Sequence, residues 1–172
     1  PGSLARLGGG AREFLAANRV LVGAWEGQLE LDRAASGPVD GGRLWNVVFR
    51  QIVNGVPVDD ARWDFQLNAG NLVTFGATRW GAVRRGTTPR LDVTAARAAL
   101  DRYTGAVGAG LLADREPPAL RLVPVDPRGA ATAWTGARGD GLAHRLVWRF
   151  VERETGGPAT WVADVDADTG EI

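Results

Sequence analysis

The stretch RLWNVVFRQIVNGVPVDDARWDFQL, residues 43–67, has a run of alternating apolar and polar residues on each side of Asn54-Gly55. Alternate side chains of an extended strand share one face. Asn-Gly between two such runs is a strong hairpin signal, because the type I′ turn requires positive φ at both of its central residues. The stretch therefore predicts an antiparallel hairpin with one apolar face, formed by Trp45, Val47, Phe49, Val53, Ala61, Trp63, Phe65 and Leu67.

Gln51 interrupts the apolar face of the first strand of this hairpin. A buried amide that lacks a hydrogen-bond partner costs about 1–3 kcal/mol. We therefore expect the Gln51 side chain to be buried and bonded to the backbone.

The rest of the first half is predicted to form a helix followed by a β-meander. Residues 4–17 carry apolar residues at helical spacing, but Gly8-Gly9-Gly10 would weaken the middle, so the helix is predicted mainly from Ala11. A period of two residues predicts further strands over 20–31 and 72–78, with a second turn at 68–71. One helix against an antiparallel sheet is the expected arrangement.

The second half repeats this change of period after a polar join at 84–92. Asp92 or Thr94 is expected to cap a helix that runs to about Tyr103 and ends at Thr104-Gly105. Strands are predicted at about 119–126, 131–135, 142–154 and 159–166. The predicted fold class is α+β with two tandem small domains, residues 1–88 and 89–172, each an antiparallel sheet packed with one helix.

The composition excludes several classes of function. The 20 basic residues, all arginine, are balanced by 20 acidic residues, so no net charge favours nucleic acid as a partner. Cysteine is absent, which excludes a disulfide scaffold, and no apolar run approaches the roughly 18 residues of a membrane span. Pro1-Gly2-Ser3 is typical of the remnant left by tag removal, so a missing targeting segment says little about location.

The side chains needed for catalysis are also scarce. His144 is the sole histidine, which with no cysteine is too few ligands for an ordinary zinc site. Ser36 lies outside any nucleophile-elbow pattern, and Gly8-Gly9-Gly10 follows no predicted strand. Asp59-Asp60 are adjacent on an extended segment and therefore point to opposite faces. We expect no catalytic, metal-binding or cofactor-binding residue, no cofactor, and no enzymatic activity.

The last residues, WVADVDADTGEI at 161–172, contain aspartates at alternate positions and could start a calcium loop. An EF-hand loop requires glycine at position six and glutamate at position twelve. Counted from Asp164, position six is Thr169 and position twelve lies beyond Ile172. A turn accounts for the residues better, with Asp166 or Asp168 accepting backbone N–H bonds and Gly170 supplying positive φ. We predict a turn and no bound calcium.

This ending also resembles the close of a PepSY domain, whose last hairpin typically ends in an Asp-Ala-x-Thr-Gly-x turn. The matching residues here are Asp166, Thr169 and Gly170, and the resemblance spans about residues 90–172.

Residues 49–80 resemble the fungalysin/thermolysin propeptide (FTP) domain. In that family a strand with an aromatic residue, Arg and Gln leads to Gly-Val-Pro-Val, a second strand, a glycine turn and a strand that ends in glycine. The matching residues here are Phe49, Arg50, Gln51, Gly55, Val56, Pro57, Val58, Gly70 and Gly76.

The tandem of these two domains is the usual propeptide of secreted thermolysin-like zinc metalloproteases. The resemblance implies a secreted or periplasmic, monomeric propeptide that acts as intramolecular chaperone and inhibitor of a catalytic domain linked in cis. The His-Glu-x-x-His motif of the protease itself is absent from this sequence. The expected contacts to the protease are Arg149, Trp161, Glu171 and Ile172.

Two other functions remain open. One is a free-standing secreted PepSY-type protease inhibitor or regulatory module that acts in trans. The other is a β-rich module that binds a small ligand or carbohydrate through a platform of tryptophans and arginines. The second alternative predicts several exposed tryptophans, whereas we expect at least four of the seven to lie in a core.

Overall fold

The computed structural model describes residues 3–23, 28–105, 112–125 and 142–172. Its internal contacts divide the chain into two compact units. The first comprises the described part of Pro1–Val83 together with Leu142, and the second comprises the described parts of Arg84–Val125 and Ala143–Ile172.

The first unit begins with helix α1, Leu4–Ala17, which the Ser3 side chain caps by accepting a hydrogen bond from the Arg6 N–H. The helix continues through the three glycines, so the prediction of a helix mainly from Ala11 is wrong. Glycine costs roughly 1 kcal/mol per helical position relative to alanine. Burial of Leu7, Ala11 and Leu15 against the sheet favours the helix in spite of this cost.

A short helix, α2, Arg19–Val22, follows α1 and ends at Gly23, which has φ 65°. The predicted strand over 20–31 is therefore wrong at its start. Residues 24–27 lie outside the described part of the chain, and the extended segment is confined to β1, Leu29–Leu31, among the residues that are described.

The sheet of the first unit continues with β2, Gly37–Val39, a 3-10 turn at Asp40–Gly42, β3, Leu44–Val53, β4, Val56–Asn68, and β5, Asn71–Thr78. β1 and β2 pair antiparallel with β3, which pairs with β4, and β4 pairs with β5. The predicted Asn-Gly hairpin is confirmed, because Asn54 has φ 48° and Gly55 has φ 82°. Ala69 and Gly70, at φ 49° and 87°, form the second predicted turn.

The core of this unit lies between α1 and one face of β3 and β4. Phe49 and Phe65 are fully buried, with ring centroids 6.1 Å apart in an edge-on arrangement. The predicted apolar face of the hairpin is confirmed for Val47, Phe49, Trp63, Phe65 and Leu67, which form one cluster with Leu7, Ala11, Leu15 and Leu29, and Trp45 packs against it. Val53 and Ala61 are buried but lie outside this cluster.

The second unit consists of helix α3, Val93–Thr104, and strands β6, Leu112–Val125, β7, Ala143–Glu154, and β8, Thr160–Asp166. The predicted helix bounds are confirmed, because the Asp92 side chain accepts the Ala95 N–H and Gly105 has φ 64°. β6 pairs antiparallel with β7, and β7 with β8. The predicted strand at 131–135 lies outside the described residues. One core cluster of this unit consists of Ala96, Leu100, Phe150 and Val165, and Leu122, Leu146 and Ala167 are also buried.

The strands of the described residues form one eight-stranded sheet in the order β1-β3-β4-β6-β7-β8, with β2 also paired to β3 and β5 also paired to β4. The fold is α+β, but the prediction of two tandem small domains with separate sheets is wrong. Hydrophobic periodicity identifies strands and their inward faces. It does not report which strand edges pair, because backbone N–H and C=O groups pair irrespective of the side chains.

Candidate functional site

The candidate site is the outer edge of β8, which is the last strand in the sheet order. β8 pairs with β7, and no other strand in the described part of the chain pairs with it. Two large apolar side chains are exposed on this strand: Trp161 at 60% and Val162 at 61%. An unpaired strand edge with exposed apolar side chains is a place where another chain can add a strand.

The alternation of β8 explains why these two side chains point to opposite faces. Val165, fully buried, and Ala163 pack in the core formed with α3, and Trp161 lies on that same side of the strand. Val162 lies on the other side together with Asp164. Both exposed side chains belong to the first half of β8.

Arg149 and Asp164 form an ion pair with two hydrogen bonds on the face that points away from α3. Arg149 Nε donates to Asp164 Oδ1 at 2.7 Å, and its Nη2 donates to Oδ2 at 2.6 Å. The two residues are directly opposite each other on β7 and β8, and both side chains are partly buried. This two-point pairing orients Arg149 along the sheet surface.

The chain turns sharply after β8. The Asp166 carboxylate accepts hydrogen bonds from the N–H groups of Asp168, at 2.9 Å, and Thr169, at 3.0 Å. Gly170 has φ 75°, and a side chain there would contact Leu91 and Ala99. The predicted turn and the role of Gly170 in it are confirmed.

Burial alone would raise the pKa of Asp166. The backbone hydrogen bonds from Asp168 and Thr169, the Thr169 hydroxyl and the positive charge of Arg145 outweigh burial and hold this pKa below its ordinary value. The carboxylate is therefore ionised at neutral pH and stabilises the turn.

The four residues predicted to contact a protease do not form a single cluster. Glu171 and Ile172 lie at the turn, where Glu171 Oε2 is 3.5 Å from Arg145 Nη1. Trp161 lies near the start of β8, and five residues at about 3.3 Å each place it roughly 16 Å from Asp166. Arg149 lies between them, opposite Asp164. Trp161 is 60% exposed and Ile172 is 42% exposed.

The FTP-like motif residues belong to the first unit and serve its structure. Gln51 is fully buried, and its Nε2 donates to the Gly81 carbonyl oxygen at 2.9 Å and to Gln28 Oε1 at 2.7 Å, as predicted. Arg50 points outward and pairs with Glu30. The remaining motif residues are Phe49 in the core, the hairpin residues Gly55, Val56, Pro57 and Val58, Gly70 in the second turn, and Gly76 within β5.

The sequence analysis missed an ion cluster that joins α3 to the sheet. Arg97 pairs with both Glu152 on β7 and Asp114 on β6, and its guanidinium lies 4.3 Å from the Phe150 ring centroid. Burial would lower the pKa of Arg97, but its bonds to the two carboxylates raise it above the ordinary value. Glu152 lies on the inward face of β7 together with Phe150. The alternation of the sequence could therefore have indicated a buried glutamate that needs a charged partner.

No group of three or more histidine, cysteine or acidic side chains in the described part of the chain could hold a metal ion. Asp164 pairs with Arg149, and Asp168 pairs with Arg85 at 2.5 Å. The Ser36 hydroxyl bonds both the N–H and the carbonyl oxygen of Val48. These side chains therefore have structural partners.

The exposed surface is poor in tryptophan. Trp63 is buried, and Trp45, Trp80 and Trp148 pack against the two cores, so at least four tryptophans lie in or against a core, as expected. Trp161 is the exposed one among the five that the structure describes. Trp25 and Trp134 lie outside the described residues. None of the helices within the described ranges is long and apolar enough to span a membrane.

The chain was compared with family models, curated proteins and solved structures. No family model matches the chain, and no curated protein matches it. Among solved structures, the Bacillus megaterium YpeB C-terminal domain is similar, with 17% identity and a TM-score of 0.43. The match covers 99% of this chain and 62% of that chain, so this chain spans less than two thirds of it.

No family model confirms the PepSY or the FTP resemblance. No comparison supports the FTP part or a protease partner. At this TM-score the likeness carries no argument about function.

Proposed function

We propose that this chain is a non-catalytic, PepSY-type regulatory module that acts by binding another protein. The observation that carries the proposal is the unpaired edge of β8 with Trp161 and Val162 exposed on it. The edge offers backbone N–H and C=O groups to an extended segment of a partner, and tryptophan is a frequent anchor of protein interfaces.

In its finer form the proposal is that the partner is the catalytic domain of a secreted thermolysin-like zinc metalloprotease. The chain would then be the propeptide, linked in cis, with an extracellular or periplasmic location. The support is the resemblance of the motif residues from Phe49 to Gly76 and from Asp166 to Gly170 to the FTP and PepSY families. The balanced charge of the chain favours a protein over a nucleic acid as partner.

The chaperone activity would follow from preferential binding. Many secreted proteins are kinetically trapped behind high barriers between their states. A module that binds the transition state for folding more tightly than the unfolded chain lowers that barrier, by the same reasoning that applies to an enzyme and its substrate. Covalent linkage supplies an effective concentration on the order of mM, so a modest affinity suffices in the precursor. Added as a separate chain, the module should assist refolding and inhibit only weakly.

The test is refolding of a denatured thermolysin-like catalytic domain, taken from the same gene, with and without this chain. We expect a higher yield of active protease with the chain, and a loss of that gain in the Trp161→Ala, Val162→Thr double variant. Tyr103→Ala is the matched control, because Tyr103 is also an exposed aromatic residue, at 74%, but lies on α3. No gain in yield together with no detectable binding would exclude the propeptide assignment.

A free-standing inhibitor would use the same β8 surface. A His-Glu-x-x-His motif encoded after Ile172 favours the propeptide, whereas binding to a separately encoded protease favours the free-standing module. The small-ligand module is disfavoured, because four of the five described tryptophans pack against the cores instead of forming a platform.

A further inference from the structure

Two polar side chains in the core of the first unit each carry one buried polar atom without a partner. Gln51 is 0% exposed and Trp63 is 5% exposed. Among the atoms of the described part of the chain, neither Gln51 Oε1 nor Trp63 Nε1 has a hydrogen-bond partner. Buried polar atoms are nearly always bonded to protein or to ordered water, because an unbonded one costs its full desolvation penalty. One orphaned acceptor and one orphaned donor therefore require an explanation.

Both side chains lie on the face of the sheet that α1 covers. Trp63 belongs to the core cluster that includes residues of α1, and it lies directly opposite Phe49 in the ladder of β3 and β4. Gln51 follows Phe49 by two residues and lies directly opposite Leu29, which belongs to the same cluster. Diagonal neighbours on two paired strands are about 7–8 Å apart, within reach of aromatic and long side chains. Gln51 and Trp63 therefore enter the same part of the core.

The segment Trp80–Gly81 contacts both side chains. The Gly81 carbonyl oxygen accepts a hydrogen bond from Gln51 Nε2 at 2.9 Å. The Trp80 ring lies 6.3 Å from the Trp63 ring, measured between centroids. The Gln51 amide and the Trp63 indole thus lie beside the same two residues.

The orientation of the Gln51 amide is fixed by its other hydrogen bonds. Its Nε2 donates to the Gly81 carbonyl oxygen and, at 2.7 Å, to Gln28 Oε1. Exchange of the amide nitrogen and oxygen would place Gln51 Oε1 against the Gly81 carbonyl, which is an acceptor only. Gln51 Oε1 therefore points away from its present partners and remains available as an acceptor.

The Trp63 ring is fixed by its aromatic neighbours. It is stacked on Phe75, with centroids 6.1 Å apart and an angle of 22° between the planes, and it lies 6.4 Å from Phe65. Rotation of the indole toward another acceptor would break these contacts. A single species that accepts from Trp63 and donates to Gln51 satisfies both orphaned atoms without movement of either side chain.

We propose that one internal water molecule accepts the Trp63 Nε1–H and donates to Gln51 Oε1. Water both accepts and donates, and two hydrogen bonds of about 2.9 Å each span a gap that no direct bond covers. An ion does not fit, because the indole N–H repels a cation and the amide oxygen repels an anion.

This water site links β3 to β4 where their ladder is irregular. The register of the two strands shifts between Arg50 and Ile52. A chain of hydrogen bonds from Gly81 through Gln51 and the water to Trp63 supplements the backbone ladder at that point. The site is internal to the first unit and does not depend on the proposed function.

The first test is NMR spectroscopy of the isotope-labelled whole chain, in which each indole N–H gives its own signal. We expect a cross peak between Trp63 Nε1–H and water that changes sign between NOE and ROE spectra, since this change distinguishes a bound water from proton exchange. Trp80 is the matched control, because it packs against the same core but its Nε1 donates to the Gly23 carbonyl oxygen at 3.2 Å. No such cross peak for Trp63, or an equal one for Trp80, would overturn the proposal.

The second test removes the proposed acceptor. Gln51→Met keeps a side chain of similar length but has no amide, and Gln66→Met is the matched control, because Gln66 is exposed on β4. We expect the water cross peak of Trp63 to be lost in Gln51→Met and kept in Gln66→Met, with circular dichroism confirming that both variants are folded. A cross peak that persists in Gln51→Met would contradict the bridge to Gln51.

A crystal structure of the wild type tests the site without any substitution. We expect density for a water within about 3.2 Å of both Trp63 Nε1 and Gln51 Oε1. A protein atom in that position, or a direct hydrogen bond between the two side chains, would show that the site holds no water.

Discussion

At the scale of single residues, Gln51 is the buried polar side chain among the described residues of the first unit. Its amide holds the segment at Gly81 to the sheet by one hydrogen bond and reaches Gln28 by another. The β3 ladder shifts register between Arg50 and Ile52, so the side chain enters the core at an irregularity of the strand. The irregularity of the strand and the hydrogen bond to the Gly81 carbonyl together explain why a polar residue occupies an apolar face.

We predict that Gln51→Leu lowers the free energy of unfolding by about 1–3 kcal/mol, because the buried Gly81 carbonyl loses its donor. Arg50→Leu is the control, since Arg50 is exposed and its pair with Glu30 contributes about 0–1 kcal/mol. Urea denaturation of the three proteins measures both changes. Equal stability of Gln51→Leu and wild type would show that the amide contributes nothing.

His144 is the sole histidine of the chain, and burial lowers its pKa from the ordinary value of 6.5. The folded state therefore favours the neutral ring, and the unfolded state binds the proton more readily. The contribution of the neutral ring to the free energy of unfolding is fully present above about pH 6.5. It is lost as the pH falls from 6.5 through the lower pKa that His144 has in the folded state.

We therefore predict that the single imidazole signal in proton NMR titrates with a midpoint below 6.5. Urea denaturation should show stability that decreases as the pH is lowered from 7 through this range. His144→Gln should remove that part of the pH dependence. A midpoint above 6.5 would mean that the ring is solvated or paired with an acid.

At the scale of elements, α1 shows that tertiary packing stabilises a helix with a glycine run. A side chain at Gly9 or Gly10 would meet nothing within 4 Å, and one at Gly8 would meet Leu31 only at ordinary contact distance, 3.6 Å. Steric crowding therefore does not require glycine at these positions. Glycine loses more backbone conformational entropy on folding than alanine does, so it lowers the free energy of unfolding relative to alanine.

We predict that Gly9→Ala and Gly10→Ala each raise the free energy of unfolding by about 0.5–1 kcal/mol. Gly55→Ala is the contrasting control, because its φ of 82° is unfavourable for alanine. Thermal unfolding followed by circular dichroism measures all three. A decrease in stability for Gly9→Ala would mean that the helix does not pass through this position.

The contact between α3 and its sheet depends on Arg97 as well as on the apolar core. Glu152 is nearly fully buried, and Arg97 is its charged partner. Removal of one partner of a buried ion pair leaves an uncompensated charge, which is more costly than removal of both.

We predict that Arg97→Met lowers the free energy of unfolding by about 3 kcal/mol and that the double variant Arg97→Met, Glu152→Leu recovers most of this loss. Chemical denaturation of the single and double variants measures the coupling. Additive losses in the double variant would show that the two side chains do not act as a pair.

At the scale of the whole molecule, the three aspartates of β8 and its turn each have a hydrogen-bond or ion-pair partner within the fold. Asp164 bonds Arg149, Asp166 bonds backbone N–H groups, and Asp168 bonds Arg85. A ligand that binds the folded state raises the melting temperature of the whole chain. Calcium would have to displace these partners, so we expect it not to stabilise the folded state.

We predict that neither calcium nor EDTA changes the melting temperature of the chain, and that calorimetric titration with calcium gives no stoichiometric heat. Asp166→Asn should behave like the wild type in the titration. Stoichiometric binding that Asp166→Asn abolishes would instead show that the terminal aspartates form a calcium loop.

The local features of this protein follow from its sequence alone. Asn54-Gly55, the alternation on both sides of it, the Asp92 cap and the turn at Asp166–Gly170 are encoded within a few residues, because φ preferences and side-chain period act over that range. The burial of Gln51 was predictable for the same reason. The inward position of Glu152 was present in the alternation, but its partner on α3 is 55 residues away in the sequence.

Only the tertiary structure determined how the helices and strands pack and pair with one another. The glycines of α1 are helical because Leu7 and Leu15 reach a core that the first unit builds, and residues 19–22 are helical in spite of their strand-like composition. The strands form one sheet of eight, and the edges of β5 and β8 remain unpaired among the described strands. Which strand edges pair depends on the backbone groups and on the space available, and side-chain periodicity does not encode either. The surface proposed for a partner is therefore visible only in the folded chain.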